Sequence, residues 1–204
     1  MKLDRSGVSK ILRVLTLAVA CMALPSLADD YADISQLLRA NKFTEAMTMV
    51  DSKLVAKPAD PQLRFLKGVV QRNLGKQPEA IATFTKLTQD YPELPEPYNN
   101  LAVLYAAQGQ YDKARATLEM AIRTNPNYAT AYENLGDVYA RLASQSYNKA
   151  LLLDNGNVAI PPKLTVLREM FKPAAGAPTA PSAAVPAPVA AKPVAAASAG
   201  VVAN

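Results

Sequence analysis

Apolar residues recur through the middle of the chain at the spacing of helical faces. Tyr98, Leu101 and Tyr105 stand at positions i, i+3 and i+7, which places them on one face of a helix. The run that follows has a similar spacing, through Tyr111, Ala114, Leu118, Ala121 and Ile122. The pattern therefore predicts two antiparallel helices in this stretch, joined by a tight turn.

The same pattern returns with a period of about 34 residues, within the range typical of tandem repeats. Four kinds of position keep this interval: a small residue, a large apolar residue four places later, a turn residue and a proline. Their members are Ala46, Ala80 and Ala114; Val50, Phe84 and Leu118; Asn41, Gly75 and Gly109; and Pro58, Pro92 and Pro126. Four series in one register indicate a tandem repeat of helix pairs.

Each kind of position has a physical reason for its residue type. Gly and Asn tolerate the left-handed backbone conformation that ends a helix. Alanine fits where two helices touch so closely that a larger side chain would clash, and the apolar residue one turn later fills the space between them. Proline stops the second helix because it has no backbone N–H with which to continue it.

The fourth unit departs from the repeat after Arg141. The turn glycine and the small alanine have no counterpart in the register, and Tyr147, Ala150 and Asp154 arrive five residues early. We expect the two helices of this unit to merge into one long helix over about 129–153, with a shortened pair as the alternative. Because end repeats of helical arrays are atypical, this unit is predicted to be terminal.

Two segments follow the repeats. Leu164, Leu167, Met170 and Phe171 have helical spacing, which predicts a short amphipathic helix within residues 158–172 that caps the last unit; an exposed docking segment is the alternative. Residues 173–204 consist almost entirely of Ala, Pro, Val, Ser and Gly. They have no large side chains to bury, so a disordered tail is predicted.

The third unit resembles the tetratricopeptide-repeat (TPR) family, whose repeat has the same length. The shared pattern is Tyr98, Leu101, Ala102, Tyr105, Gly109, Ala114, Leu118, Ala121 and Pro126. The fourth unit opens equally well with Tyr132, Leu135, Gly136 and Tyr139. The resemblance implies an all-α fold, a right-handed α-solenoid of antiparallel TPR helix pairs. A TPR domain is expected over 29–157, with units of about 29–60, 61–94, 95–128 and 129–157.

The resemblance also implies a binding surface, since the first helix of each TPR pair lines the concave side of the solenoid. Carried onto this register, the family's contact positions are Phe65, Val69, Arg72, Asn73, Asn99, Val103, Glu133, Asp137 and Arg141. Ala106 is a further contact position, and Asn134 neighbours them. This mixed surface predicts that a peptide or protein is held by amide hydrogen bonds, Arg–carboxylate pairs and apolar contact.

The N-terminal segment has the layout of a secretory signal peptide. A basic stretch up to Arg13 precedes an uncharged apolar run over 14–24, and small residues at Ser26 and Ala28 favour cleavage after Ala28. Export to the periplasm is the expected consequence. Cys21 offers an alternative as the acylated first residue of a lipoprotein, although Ala18 is a weak match to that motif. An uncleaved anchor is a third option.

Composition and charge narrow the chemistry further. The chain has no His and one Cys, so a His-based catalytic pair and a His-containing metal site are both excluded. Residues 1–28 hold four of the 22 basic and one of the 17 acidic side chains, which leaves a net charge of +2 for the rest. That balance gives no electrostatic footprint for nucleic acid.

These observations predict a protein without enzymatic activity, cofactor or metal. The leading hypothesis is a protein-interaction scaffold or adaptor in the bacterial cell envelope. The first alternative is a lipid-anchored TPR assembly factor for pili or outer-membrane complexes. The second is a self-associating repeat protein in which the long final helix pairs with its copy.

Overall fold

A computed structural model describes residues 27–172, with side chains from Asp30 onward. Eight α-helices and no strands make up this described part of the chain: α1 (Leu27–Arg39), α2 (Phe43–Ala56), α3 (Pro61–Asn73), α4 (Gln77–Asp90), α5 (Pro95–Ala107), α6 (Tyr111–Thr124), α7 (Ala129–Leu153) and α8 (Ile160–Met170). The predicted tail, the proposed lipidation site Cys21 and nearly all of the predicted signal peptide lie outside the described residues. None of the described helices is both long enough and apolar enough to cross a bilayer.

Successive helices pack against one another along the chain, and alternate helices α1 and α3, and α5 and α7, also touch. This arrangement is the predicted right-handed α-solenoid of antiparallel helix pairs. The fold class inferred from the repeat pattern is therefore confirmed.

The turns within the first three pairs follow the predicted chemistry. Asn41, Gly75 and Gly109 have φ values of 57°, 74° and 71°, and no other described residue has a positive φ. Only residues that tolerate the left-handed region fit there without strain. The start of α3 is fixed by Asp60, whose Oδ1 accepts a hydrogen bond from the Leu63 backbone N–H at 2.9 Å.

The small and large repeat positions form the core between paired helices. Ala46, Ala80 and Ala114 are fully buried, as are the large residues that follow them by one turn. Phe84 packs against Gly68 so closely that a Cβ added to the glycine would lie 2.7 Å from the ring. The predicted close approach of the two helices is therefore real, and at this pair it requires a glycine opposite the aromatic ring.

The fourth unit is one continuous helix, α7, rather than a shortened pair. Helix α8 packs against α7 and buries Ile160 and Leu164, which is the contact expected of a capping helix. This unit has no glycine at the turn position, where a left-handed residue would end the helix. The helix α7 therefore continues to Leu153.

A hydrogen bond between α1 and the start of α3 predicts a pH-dependent stability. Tyr31 Oη donates to Asp60 Oδ2 at 2.6 Å. Burial, followed by this bond to Asp60, raises the pKa of Tyr31 from 10.0 to about 12. Because the folded pKa lies above the unfolded one, the contribution of Tyr31 to stability is complete below pH 10 and is lost as the pH rises towards 12.

We therefore expect the urea midpoint of the parent to fall between pH 10 and pH 12 by more than that of Tyr31→Phe. Tyr111→Phe, which removes a tyrosine hydroxyl from α6, is the control and should keep the parent's slope. Equal losses in the parent and in Tyr31→Phe over this range would show that the bond to Asp60 does not contribute.

Candidate functional site

The predicted contact residues lie on three first helices, α3, α5 and α7, in different environments. Val103 is half-buried on α5, while Glu133, Asp137 and Arg141 are exposed on α7. Arg72 and Asn73 are half-buried at the end of α3. The remaining three predicted residues, Phe65, Val69 and Asn99, are buried.

Residues from two neighbouring units meet in one groove of about 400 Å³ between α5 and α7. Its lining consists of Ala102, Val103, Ala106, Tyr111, Leu118, Asn134, Asp137, Val138, Arg141 and Phe171. The groove thus brings together three of the nine predicted residues, Val103, Asp137 and Arg141. Its volume is within the range of pockets that hold small ligands or a few side chains of a peptide.

The burial of Phe65, Val69 and Asn99 corrects the expectation that their side chains form an open contact surface. Phe65 and Val69 are 5% and 3% exposed and belong to the main apolar core. The Phe65 ring lies 5.6 Å from the Phe84 ring, centroid to centroid. Packing of α3 against its neighbours covers these positions, so in this structure they support the surface instead of presenting it.

Polar side chains join the first helices of successive units. Arg72 donates from Nη1 to Asn100 Oδ1 at 2.9 Å, which links α3 to α5. Asn134 donates from Nδ2 to Asn99 Oδ1 at 2.7 Å, which links α7 to α5. These bonds satisfy polar groups that burial would otherwise leave unpaired, and they fix the spacing of the surface on which the groove lies.

Arg72 is a partly buried cation whose hydrogen-bond acceptor is a neutral amide. Burial lowers the pKa of its guanidinium below the ordinary value, because removal from water penalises the charged form. An arginine nevertheless remains charged at neutral pH. Such a group is suited to an incoming carboxylate, provided that the carboxylate can reach it.

Arg141 and Phe171, two residues of the groove lining, contact each other. The guanidinium carbon of Arg141 lies 3.7 Å from the centroid of the Phe171 ring, a cation–π geometry. The sequence pattern places Phe171 only in segment 158–172, predicted as a cap or a docking segment. Its wide separation from Arg141 along the chain gives no local signal, so only the packing of α8 beside α7 reveals the contact.

Within residues 27–172 no cluster of three or more Cys, His, Asp or Glu side chains has the arrangement of a metal site. The lining of the groove offers apolar contact at Val103 and Ala106, and charge at Asp137 and Arg141.

Family models match the repeat region. A model described as "Tetratricopeptide repeat" matches residues 62–93 and a second one matches 83–116, while a model described as "TPR repeat" matches 104–142. A chloroplastic tetratricopeptide repeat domain-containing protein of Arabidopsis thaliana, PYG7, is 35% identical over 88 residues. This match covers 41% of the present chain and 29% of the relative, well under two thirds of the relative's length.

Solved structures of TPR proteins have a fold similar to that of this chain. TTC0263, a TPR protein of Thermus thermophilus, aligns with a TM-score of 0.54 and 25% identity, covering 70% of this chain and 81% of that one. The Yersinia enterocolitica type III secretion chaperone SycD, solved in complex with a peptide of the translocator YopD, aligns with a TM-score of 0.52 and 16% identity. That alignment covers 63% of this chain and 98% of SycD.

Proposed function

We propose that this protein binds a peptide segment of its partner in the groove between α5 and α7. The support is the match of residues 62–142 to tetratricopeptide-repeat models, since this fold serves as a scaffold for protein–protein interaction. The observation that carries the proposal is the meeting of Val103, Asp137 and Arg141, contributed by two units, in one groove of about 400 Å³. The SycD structure, which holds a peptide, supports the capacity of this fold for such a ligand.

The lining of the groove defines the kind of peptide. Val103 and Ala106 favour an apolar side chain, since they provide no hydrogen bonds to a polar one. Asp137 favours a basic group or an N–H donor, and Arg141 can donate to a carboxylate. We therefore expect an extended segment with an apolar residue between groups of opposite charge. Arg72 and Asn73, on α3, extend the polar surface towards the N-terminal units.

We further propose that the scaffold acts in the bacterial cell envelope. The support is the basic and apolar layout of residues 1–28, with small residues before Asp29. Intact-mass analysis of protein from the native envelope separates the options, because export with cleavage gives a chain that starts at Asp29. A diacylated Cys21 at the N-terminus would instead establish the lipid-anchored assembly factor.

The groove is tested with peptides selected from a random display library on the parent protein. We expect Asp137→Arg to raise the Kd of the selected peptides at least tenfold, a loss of about 1.4 kcal/mol, because it reverses the charge in the groove. Binding is measured by fluorescence anisotropy with synthetic copies of the peptides.

Glu93→Arg is the matched control, since it reverses one exposed acidic charge in the turn between α4 and α5. It should leave the Kd within twofold of the parent value. Equal weakening by the two substitutions would reveal a general charge effect, and no weakening by Asp137→Arg would place the binding surface elsewhere.

A further inference from the structure

One face of α7 lacks the cover that the equivalent faces of α3 and α5 receive. Gly68, Ala102 and Gly136 occupy the same position in three successive repeats. A Cβ at Gly68 would lie 2.7 Å from the Phe84 ring of α4, and Ala102 is fully buried. At Gly136 an added Cβ meets no heavy atom within 4 Å. The second helix that covers this position in the earlier units is therefore missing from the fourth.

The tyrosines on either side of Gly136 show the same loss of cover. Tyr98 and Tyr105 of the third unit pack against the apolar core around α6. Their counterparts in the fourth unit, Tyr132 and Tyr139, are 50% and 48% exposed. About half of each residue's surface is thus exposed to solvent on a face that the third unit packs against its core.

The second half of α7 carries the residues that would provide this cover. The buried residues of α4 are Ala80, Phe84 and Leu87, and those of α6 are Ala114, Leu118 and Ala121, with successive intervals of four and three residues. Ala143, Tyr147 and Ala150 have the same intervals in α7. These residues cannot fold back on Gly136 within one chain, because α7 is continuous from Ala129 to Leu153.

The exposed residues around Gly136 and the residues in the second half of α7 lie on one side of the helix. Tyr132, Gly136, Tyr139, Ala143, Tyr147 and Ala150, here called the α7 stripe, follow one another at intervals of four, three, four, four and three. Such intervals keep all six residues on one face. None of them is charged, and all are exposed or half-buried; the Tyr147 ring also has the Lys163 ammonium of α8 5.3 Å from its centroid, at the edge of this face. The first half of the stripe is therefore a face that lacks a second helix. Its second half has the residue spacing of a second helix.

We infer that two copies of this chain associate through the α7 stripe, with the two α7 helices antiparallel. Each copy then supplies the second helix that the other copy's fourth unit lacks. Tyr147 of one copy covers Gly136 of the other, as Phe84 covers Gly68 within one chain. Because the helices are antiparallel, the same contact recurs with the copies exchanged, so a single twofold axis generates both contacts.

A second copy fits this face better than an unrelated helix does, because both halves of the contact are present on one stripe. The large residue Tyr147 and the glycine Gly136 that it would cover lie on the same face. A self-complementary interface requires both on one surface. The stripe is also separate from the peptide groove: Asp137 follows Gly136 by one residue, about 100° around the helix. The inference thus stands independently of the proposed peptide binding.

The register is tested by disulfide trapping with Gly136→Cys and Tyr147→Cys together. Within one helix these positions are about 16 Å apart along the axis, whereas a disulfide needs Cα atoms within about 7 Å. Any bond between them must therefore join two chains. We expect a covalent dimer on mild oxidation of the double variant, made from the full-length gene, with a peptide that links positions 136 and 147 identified by mass.

The two single variants and the parent are the controls, since all carry Cys21 to the same extent. The two single variants should give no more covalent dimer than the parent does. Trapping of Gly136→Cys with itself would contradict the register, and no dimer from the double variant would overturn the inference.

A second experiment measures the association itself by light scattering over a range of concentrations. The parent should have about twice the mass of one chain, and Gly136→Arg should have the mass of one chain, with at least a tenfold rise in the dimer dissociation constant. The fold tolerates this substitution because a side chain at position 136 meets open space. Circular dichroism and thermal unfolding verify that the variant keeps its helices.

Gln145→Arg adds the same charge at an exposed residue of α7 outside the stripe and should remain dimeric. A parent that is monomeric at every concentration, or a Gly136→Arg variant that stays dimeric, would refute association through the α7 stripe.

Discussion

Replacing Phe84 with alanine will lower the free energy of unfolding by about 3–5 kcal/mol, the usual range for loss of a buried aromatic side chain. Phe84 is fully buried, contacts Gly68 and packs against Phe65, so its removal leaves a cavity between α3 and α4. Urea unfolding followed by circular dichroism measures the change. Val55→Ala, at a residue 84% exposed, is the control and should change stability by less than about 0.5 kcal/mol.

A double-mutant cycle with Gly68→Ala identifies the contact responsible. Alone, Gly68→Ala should destabilise by about 1–3 kcal/mol, because the new Cβ overlaps the Phe84 ring. With Phe84→Ala present, the same change should be neutral or stabilise by up to about 1 kcal/mol, since alanine is the better helix former. Additive effects of the two substitutions would contradict the close packing of Gly68 on Phe84.

Replacing Asn99 with alanine will lower the free energy of unfolding by about 1–3 kcal/mol, the cost of disrupting a buried hydrogen bond. Asn99 is 1% exposed, and its Oδ1 accepts the bond from Asn134 that joins α5 to α7. Asn134→Ala removes the same bond and leaves the buried Asn99 Oδ1 without its donor, so it should destabilise by a comparable amount. Chemical denaturation of both single variants and the double variant gives the coupling energy.

We expect the double variant to cost no more than Asn99→Ala alone, to within about 0.5 kcal/mol, because both substitutions remove one bond. Asn73→Ala is the matched control, since the Asn73 side chain bonds only to the Val69 carbonyl of its own helix. A stability unchanged by Asn99→Ala would contradict a structural role for the bond between Asn99 and Asn134.

The fold could be predicted from the sequence because the same turn and core residues recur in three successive repeats. Asn41, Gly75 and Gly109 have the left-handed conformation that their residue types permit, and this conformation sets the turns within the pairs. The alanine and large apolar series lie buried between helices as predicted. These requirements act within one helix pair, so a window of one repeat contains all the information that they need.

The site could be predicted only in part, because exposure depends on helices distant in the sequence. Val103 and Asp137 line the groove as their repeat position suggests, whereas Val69, at the same position one repeat before Val103, is buried. A repeat position specifies a direction from the helix axis. It does not specify which neighbouring helix covers that direction.

By itself, then, the sequence determined the helices, their turns, the period of the repeat and the loss of the turn in the fourth unit, since each depends on backbone preference or local spacing. It left open whether that unit is a merged helix or a shortened pair. Only the tertiary structure decided that α7 is continuous, that Phe171 lies over Arg141, and that Gly136 has no cover where Gly68 does. The physical reason is that burial is a property of pairs of surfaces, and the second surface of each pair comes from a part of the chain that local pattern cannot identify.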